Sequence, residues 1–196
     1  MSIRFGPAGL GGVKEAIPNL QRYHELGLRA CEIAFTYGVY IKHKEDALRI
    51  GKEAERLGIN LSIHAQYWIN LNSTEKKKIE ESKERILKCL EIGSYLKAKT
   101  VVFHAGFYGK IKRTPGSSYD ISSEIGVMPD YKEQSYQNIK QAILEIKKES
   151  EKRNYTPELA AETTGKNSVF GSVEDIARLV EETKIGFCID FAHILA

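Results

Sequence analysis

The feature that most constrains the fold is a repeated change of period along the chain. Short apolar runs alternate with longer segments whose apolar residues recur every three to four positions. The runs have the length and character of buried strands, and the segments between them read as amphipathic helices. Strands are expected at Ile3 to Phe5, Ala30 to Phe35, Asn60 to His64, Thr100 to His104, Leu159 to Glu162 and Ile185 to Asp190. Helices are expected at Val13 to Leu26, Lys44 to Leu57, Thr74 to Leu96 and Tyr131 to Arg153. Thr74 reads as an N-cap, with Glu75 in the first turn. Ser172-Val173-Glu174-Asp175 resembles a capping box and opens a last helix through Glu182. Such alternation predicts a parallel sheet with right-handed crossovers.

A parallel sheet of this kind is either open and doubly wound or closed into a (β/α)8 barrel. Gly6-Pro7-Ala8-Gly9, after the first run, is not the G-x-G-x-x-G loop of dinucleotide-binding sheets. Residues able to bind a metal end the later runs: His64, His104, Glu162 and Asp190, with His193 three positions on. A ring of strands gathers such ends around one centre, whereas an open sheet spreads them along a line. The chain is therefore expected to be an α/β TIM barrel, one domain over residues 1–196. A complete barrel takes eight strands and about 250 residues. Six are counted here, so the barrel is expected to be incomplete at its C-terminus. Its open edges would then favour self-association.

At 42% hydrophobic and 28% charged residues, the chain has the composition of a water-soluble globular protein. No stretch is long and apolar enough to span a membrane, and the N-terminus lacks a signal-peptide layout, so a cytoplasmic location is expected. The net charge of +3 neither demands nor excludes nucleic acid. Cys31, Cys89 and Cys188 are isolated and odd in number, as free thiols in a reducing compartment would be. The stretch Phe107 to Asp130 lacks clear periodicity and starts with Lys110, Lys112 and Arg113. It follows His104 directly and reads either as a solvated loop or as a substrate-contacting lid.

The strand-end residues form a coherent ligand set. Neutral imidazole nitrogen and carboxylate oxygen suit zinc or a similar divalent cation. A carboxylate can bridge two cations, and Glu162, central in the strand order, is the natural bridge. His24 and His43 lie on or beside helices at polar positions and read as surface residues. No G-x-S-x-G elbow is present, so a serine-nucleophile triad has no support.

The motifs His64-Ala65-Gln66-Tyr67-Trp68-Ile69-Asn70-Leu71, Phe103-His104-Ala105-Gly106, Ala161-Glu162-Thr163-Thr164-Gly165 and Cys188-Ile189-Asp190-Phe191-Ala192-His193 occur in this order. Together they resemble the endonuclease IV family of apurinic/apyrimidinic endonucleases. The resemblance implies a zinc-dependent DNA repair enzyme, a hydrolase that cleaves the phosphodiester on the 5′ side of abasic sites in double-stranded DNA by metal-activated water. It implies up to three zinc ions (manganese being another candidate) and a monomer when full length. His64 and His104 would bind the first zinc, Glu162 would bridge the first and second, Asp190 would bind the second, and His193 the third. Tyr67 matches a residue that enters the DNA at the lesion, and Lys110, Lys112, Arg113 and Lys166 would meet phosphates. The sequence departs from the family pattern at Ala105, at Thr163 and in Thr36-Tyr37-Gly38-Val39-Tyr40, which has no arginine. The family's later ligands have no counterpart before Ala196. A metal-dependent sugar isomerase or epimerase on the same barrel, or a non-catalytic damaged-DNA-binding remnant, are the competing expectations.

Overall fold

The computed structural model describes residues 3–108 and 129–195, the side chains of 129 and 130 excepted. The element order is α1 (Val13–Glu25), β1 (Ala30–Ala34), α2 (Lys44–Arg56), β2 (Asn60–His64), α3 (Lys76–Tyr95), β3 (Thr100–Phe103), α4 (Pro129–Lys152), β4 (Glu158–Glu162), α5 (Val173–Thr183), β5 (Gly186–Cys188) and α6 (Phe191–Leu195). The five strands form one sheet in the order β1-β2-β3-β4-β5, every neighbouring pair parallel. Sequential order without reversal is the signature of an arc of barrel, since a doubly wound sheet reverses at a switch point.

Alternation decides which residues face which side. In β1 and β2, Cys31, Ile33, Leu61 and Ile63 are buried, while Glu32, Ser62 and His64 between them are only partly covered. Successive side chains in a strand point to opposite faces. The apolar set therefore packs outward, onto the helices, with Ile50 of α2 and Ile86 and Leu90 of α3 in the same buried core. Each such residue removed from water contributes about 1.5–3 kcal/mol. Ile63 is fully buried. Ile63→Ala is expected to cost about 3 kcal/mol in urea unfolding with an unchanged slope.

The structure corrects several expectations. Ile3 to Phe5 is not a strand. The Phe5 carbonyl accepts from the Arg29 and Ala30 amides, and the Pro7 carbonyl from the Glu32 amide, yet only an isolated parallel bridge forms, Ala8 with Glu32. Pro7 has no N–H to continue a ladder. A Cβ on Gly6 would lie 1.7 Å from the Ala30 carbonyl oxygen, so only glycine lets this segment hug β1. Helix α3 starts at Lys76 with Glu75, not Thr74, as its N-cap, because the Ser73 hydroxyl accepts the Glu75 amide and holds the turn open one residue longer. The sixth expected strand contracts to Gly186–Cys188. His24 is half-buried rather than free on the surface, its Nδ1 2.9 Å from the Leu57 carbonyl. His43 is exposed, ahead of α2. The capping box at Ser172 is present, the hydroxyl accepting from the Asp175 amide.

Among the described residues, no helix is long and apolar enough to cross a membrane. Cys31 and Cys89 are buried free thiols, and Cys188 is free and partly covered. Lys110, Lys112 and Arg113 lie outside the described residues. What is described of the stretch after His104 is anchored: Phe107 bridges Val169, and the Tyr108 amide donates to the Ser168 carbonyl.

Candidate metal centre

Parallel strands deliver their C-terminal ends to one face, and register sets which ends meet. His64 ends β2, His104 follows β3, Glu162 ends β4, and Asp190 and His193 follow β5. The structure brings these five together. His64 Nε2 is 2.9 Å and His104 Nε2 3.7 Å from Glu162 Oε2. His193 Nδ1 lies 3.9 Å from the other oxygen, Oε1, and 3.3 Å from Asp190 Oδ2. Two donor groups result: His64, His104 and Glu162, and Glu162, Asp190 and His193, with ligand atoms in each within 4.8 Å of one another. Glu162 belongs to both, and each of its oxygens faces a different group.

Surrounding bonds orient these side chains. His64 Nδ1 donates to the Ala65 carbonyl at 2.8 Å, which leaves Nε2 to face Glu162. The Asp190 amide donates to the Thr163 hydroxyl, and Asp190 Oδ1 accepts from the Ala192 and His193 amides, leaving Oδ2 free toward the His193 ring. His193 Nδ1 is 3.0 Å from the Thr163 carbonyl. The two loops bearing His64 and His104 are tied to each other. Asn70 Oδ1 accepts from the Phe107 amide, and the Leu71 amide donates to the Ala105 carbonyl. Gly106 has φ +136°, and a Cβ there would meet Asn70 Oδ1 at 2.5 Å. Gly106→Ala is expected to lower the melting temperature by several degrees and to weaken cation binding together with it, since both loops must shift.

The electrostatics are those of a site short of positive charge. Glu162 is only 5% exposed. Burial alone would push the His64 imidazole below its ordinary value, but hydrogen bonds to Glu162 and to the Ala65 carbonyl, with the charges of Glu162 and Glu32, hold it above. Burial takes His104 the other way, below the ordinary imidazole value, against the pull of Glu162. The amide of His193 holds the Asp190 carboxyl below its usual range. His104 Nδ1 is buried with no hydrogen-bond partner among the described residues, and its Nε2 is too far from Glu162 to bond. The 3.7 Å between His104 Nε2 and the buried Glu162 carboxylate is a gap that a cation between them would close. Two imidazoles and a carboxylate in the first group, and two carboxylates and an imidazole in the second, are donor sets that could hold a divalent cation.

A cavity of about 560 Å³ opens over the centre, lined by Glu32, His64, Tyr67, His104, Glu162, Cys188, Asp190 and His193 among others. Tyr67 lines it and is about half exposed, with the exposed Tyr37 against Tyr67 and Trp68 against Tyr37. The Tyr67 ring lies nearly parallel to His104, with centroids 6.4 Å apart. Lys166 flanks the same mouth, with Tyr67, His104 and His193. One residue of this site had not been singled out from sequence. Glu32 sits mid-strand in an apolar run, and its signal was a carboxylate at an inward position between Cys31 and Ile33.

Comparison with known proteins agrees with this architecture. An uncharacterized protein of Methanocaldococcus jannaschii is 35% identical over 193 residues, 98% of this chain and 62% of the relative. Endonuclease IV from Thermus thermophilus superposes with a TM-score of 0.67 at 21% identity, covering 97% of this chain and 64% of that one. A D-tagatose 3-epimerase-like protein gives 0.72 at 18% identity, covering 98% and 66%. The chain thus spans a little under two thirds of the length of these relatives. The family model described as xylose isomerase-like TIM barrel matches residues 20–196. On that match and on its sequential parallel strands, the chain belongs to the xylose isomerase-like TIM barrel family.

Proposed function

We propose that the chain carries the metal centre of a DNA repair phosphodiesterase, a hydrolase that cuts the backbone on the 5′ side of abasic sites. The observation that carries this reading is Glu162, a buried carboxylate whose two oxygens face two separate donor groups. Phosphodiester hydrolysis uses such a pair, because the attacking and the leaving oxygen both need charge stabilisation. His64, His104 and Glu162 would hold one divalent cation, zinc in the first instance, and Glu162, Asp190 and His193 a second. When bound, these cations supply Lewis acidity toward water and phosphate oxygens.

The protein's own groups do the rest. The Ala65 carbonyl holds His64 Nδ1 and so keeps its Nε2 turned toward the centre. Tyr37, Tyr67 and Trp68 offer exposed aromatic faces on which an unpaired base can stack, or a wedge to enter the helix at the lesion. An abasic sugar leaves the stack at lower cost than a paired nucleotide, which selects for damage. Lys166 is exposed at the mouth and suits a backbone phosphate; Lys110, Lys112 and Arg113 are proposed as further phosphate contacts.

The test is incision of a duplex with one central abasic site, with and without added zinc. The reading predicts a 3′-hydroxyl product on the 5′ side of the lesion, abolished by chelation. Epimerisation of a ketose with no incision of DNA would contradict it. Lys166→Ala is expected to weaken DNA binding and to flatten the log–log salt dependence of affinity by about 1, as measured by fluorescence anisotropy.

A further inference from the structure

The proposed centre leaves one charged group in its cavity without a task. Glu32, on β1, lines the same cavity as His64, Glu162 and Asp190. Its neighbours Cys31 and Ile33 point outward into the helix layer, so Glu32 points inward, level with Ser62 of β2. Among the described residues its carboxylate makes no hydrogen bond and no ion pair, and it belongs to neither donor group. Burial, with the charge of Glu162 and against that of His64, raises its pKa above the usual carboxylate range. A half-buried carboxylate without a partner, aimed into a cavity, calls for a ligand.

Charge decides what that ligand is. A phosphate is repelled by Glu32 as it is by Glu162, and its natural place is the cation side with Lys166 at the mouth. With the cations assigned to the two donor groups, to neither of which Glu32 belongs, what lies against Glu32 is an uncharged hydrogen-bond donor. A hydroxylated sugar meets both conditions, and about 560 Å³ is room enough for one with part of its phosphate. We infer that Glu32 is a substrate-reading residue that accepts a hydrogen bond from the anomeric hydroxyl of the abasic deoxyribose. The inference rests on the endonuclease reading. It adds a chemical reason for preferring a true abasic site over a lesion that lacks that hydroxyl, because a site built around a hydroxyl leaves its own buried acceptor unpaired when the hydroxyl is missing.

The test compares two duplexes, one with natural abasic deoxyribose and one with tetrahydrofuran, which lacks the hydroxyl. The wild-type chain with zinc is expected to prefer the natural site about tenfold in kcat/KM, the size of one hydrogen bond to a charged group. In Glu32→Ala the preference should shrink to within about twofold, with zinc content retained, while Glu32→Gln, which keeps an acceptor oxygen, should preserve most of it. Glu32→Met, close in volume, carries the same test if the alanine variant misfolds. No preference in the wild type, or an undiminished preference in Glu32→Ala and Glu32→Met, overturns the inference and leaves the endonuclease reading standing. Incision of neither duplex by the zinc-loaded wild type overturns both.

Discussion

Glu162→Gln is expected to lower incision of abasic DNA by on the order of 10³-fold or more, with the fold retained. The side chain is buried, and both oxygens are engaged, one toward His64 and His104 and the other toward His193. Glutamine keeps the shape but replaces one oxygen with an amide nitrogen that donates and binds no cation. Whichever way the amide turns, one donor group loses its carboxylate. Because the change removes a buried anion rather than stranding one, stability should fall little. DNA affinity should be largely spared, since the aromatic rim and Lys166 are untouched. Incision kinetics beside anisotropy separate the two effects; retained incision would remove Glu162 from the bridging position.

His64→Ala is the second large effect. It takes away a nitrogen of the first group and leaves Glu162 without its shortest partner, 2.9 Å away. Zinc affinity is expected to fall by on the order of 100-fold, measured by competition with a chromophoric chelator. The same residue sets a pH dependence in the wild type. Glu162 holds the His64 pKa above the ordinary imidazole value, and a cation must displace that proton. Zinc affinity should therefore weaken as pH falls through the raised pKa, starting at a higher pH than an isolated histidine would give. His104, whose pKa lies below the ordinary value, stays neutral further into acid and does not cause the first loss. In His64→Ala this early part of the pH dependence should disappear.

The clustering of these side chains was legible in the sequence because a parallel fold makes it so. Apolar runs that end in His64, His104, Glu162 and Asp190 say both that a strand stops and that its last side chain faces the ligand-binding end. The sequential strand order followed from the same runs. The misreadings come from local competition that a periodic pattern does not carry. Ile3 to Phe5 looks like a strand, but the missing N–H of Pro7 and the contact of Gly6 with Ala30 turn it into an irregular edge. Thr74 looks like a cap, but the Ser73 hydroxyl takes the Glu75 amide first. His24 looks like a surface residue until the Leu57 carbonyl at the end of α2 is placed beside it. Glu32 needed the register of β1 against β2, since whether a lone carboxylate faces the helices or the cavity changes with a one-residue slip.

Whether one buried carboxylate joins two cation sites is read from zinc stoichiometry. After exhaustive dialysis against buffered zinc, native mass spectrometry of the wild type is predicted to show about two zinc ions per chain, one for each donor group around Glu162. Glu162→Gln is predicted to hold fewer. A wild-type chain that retains no zinc, or a Glu162→Gln chain that retains as much as the wild type, would rule out a bridging Glu162.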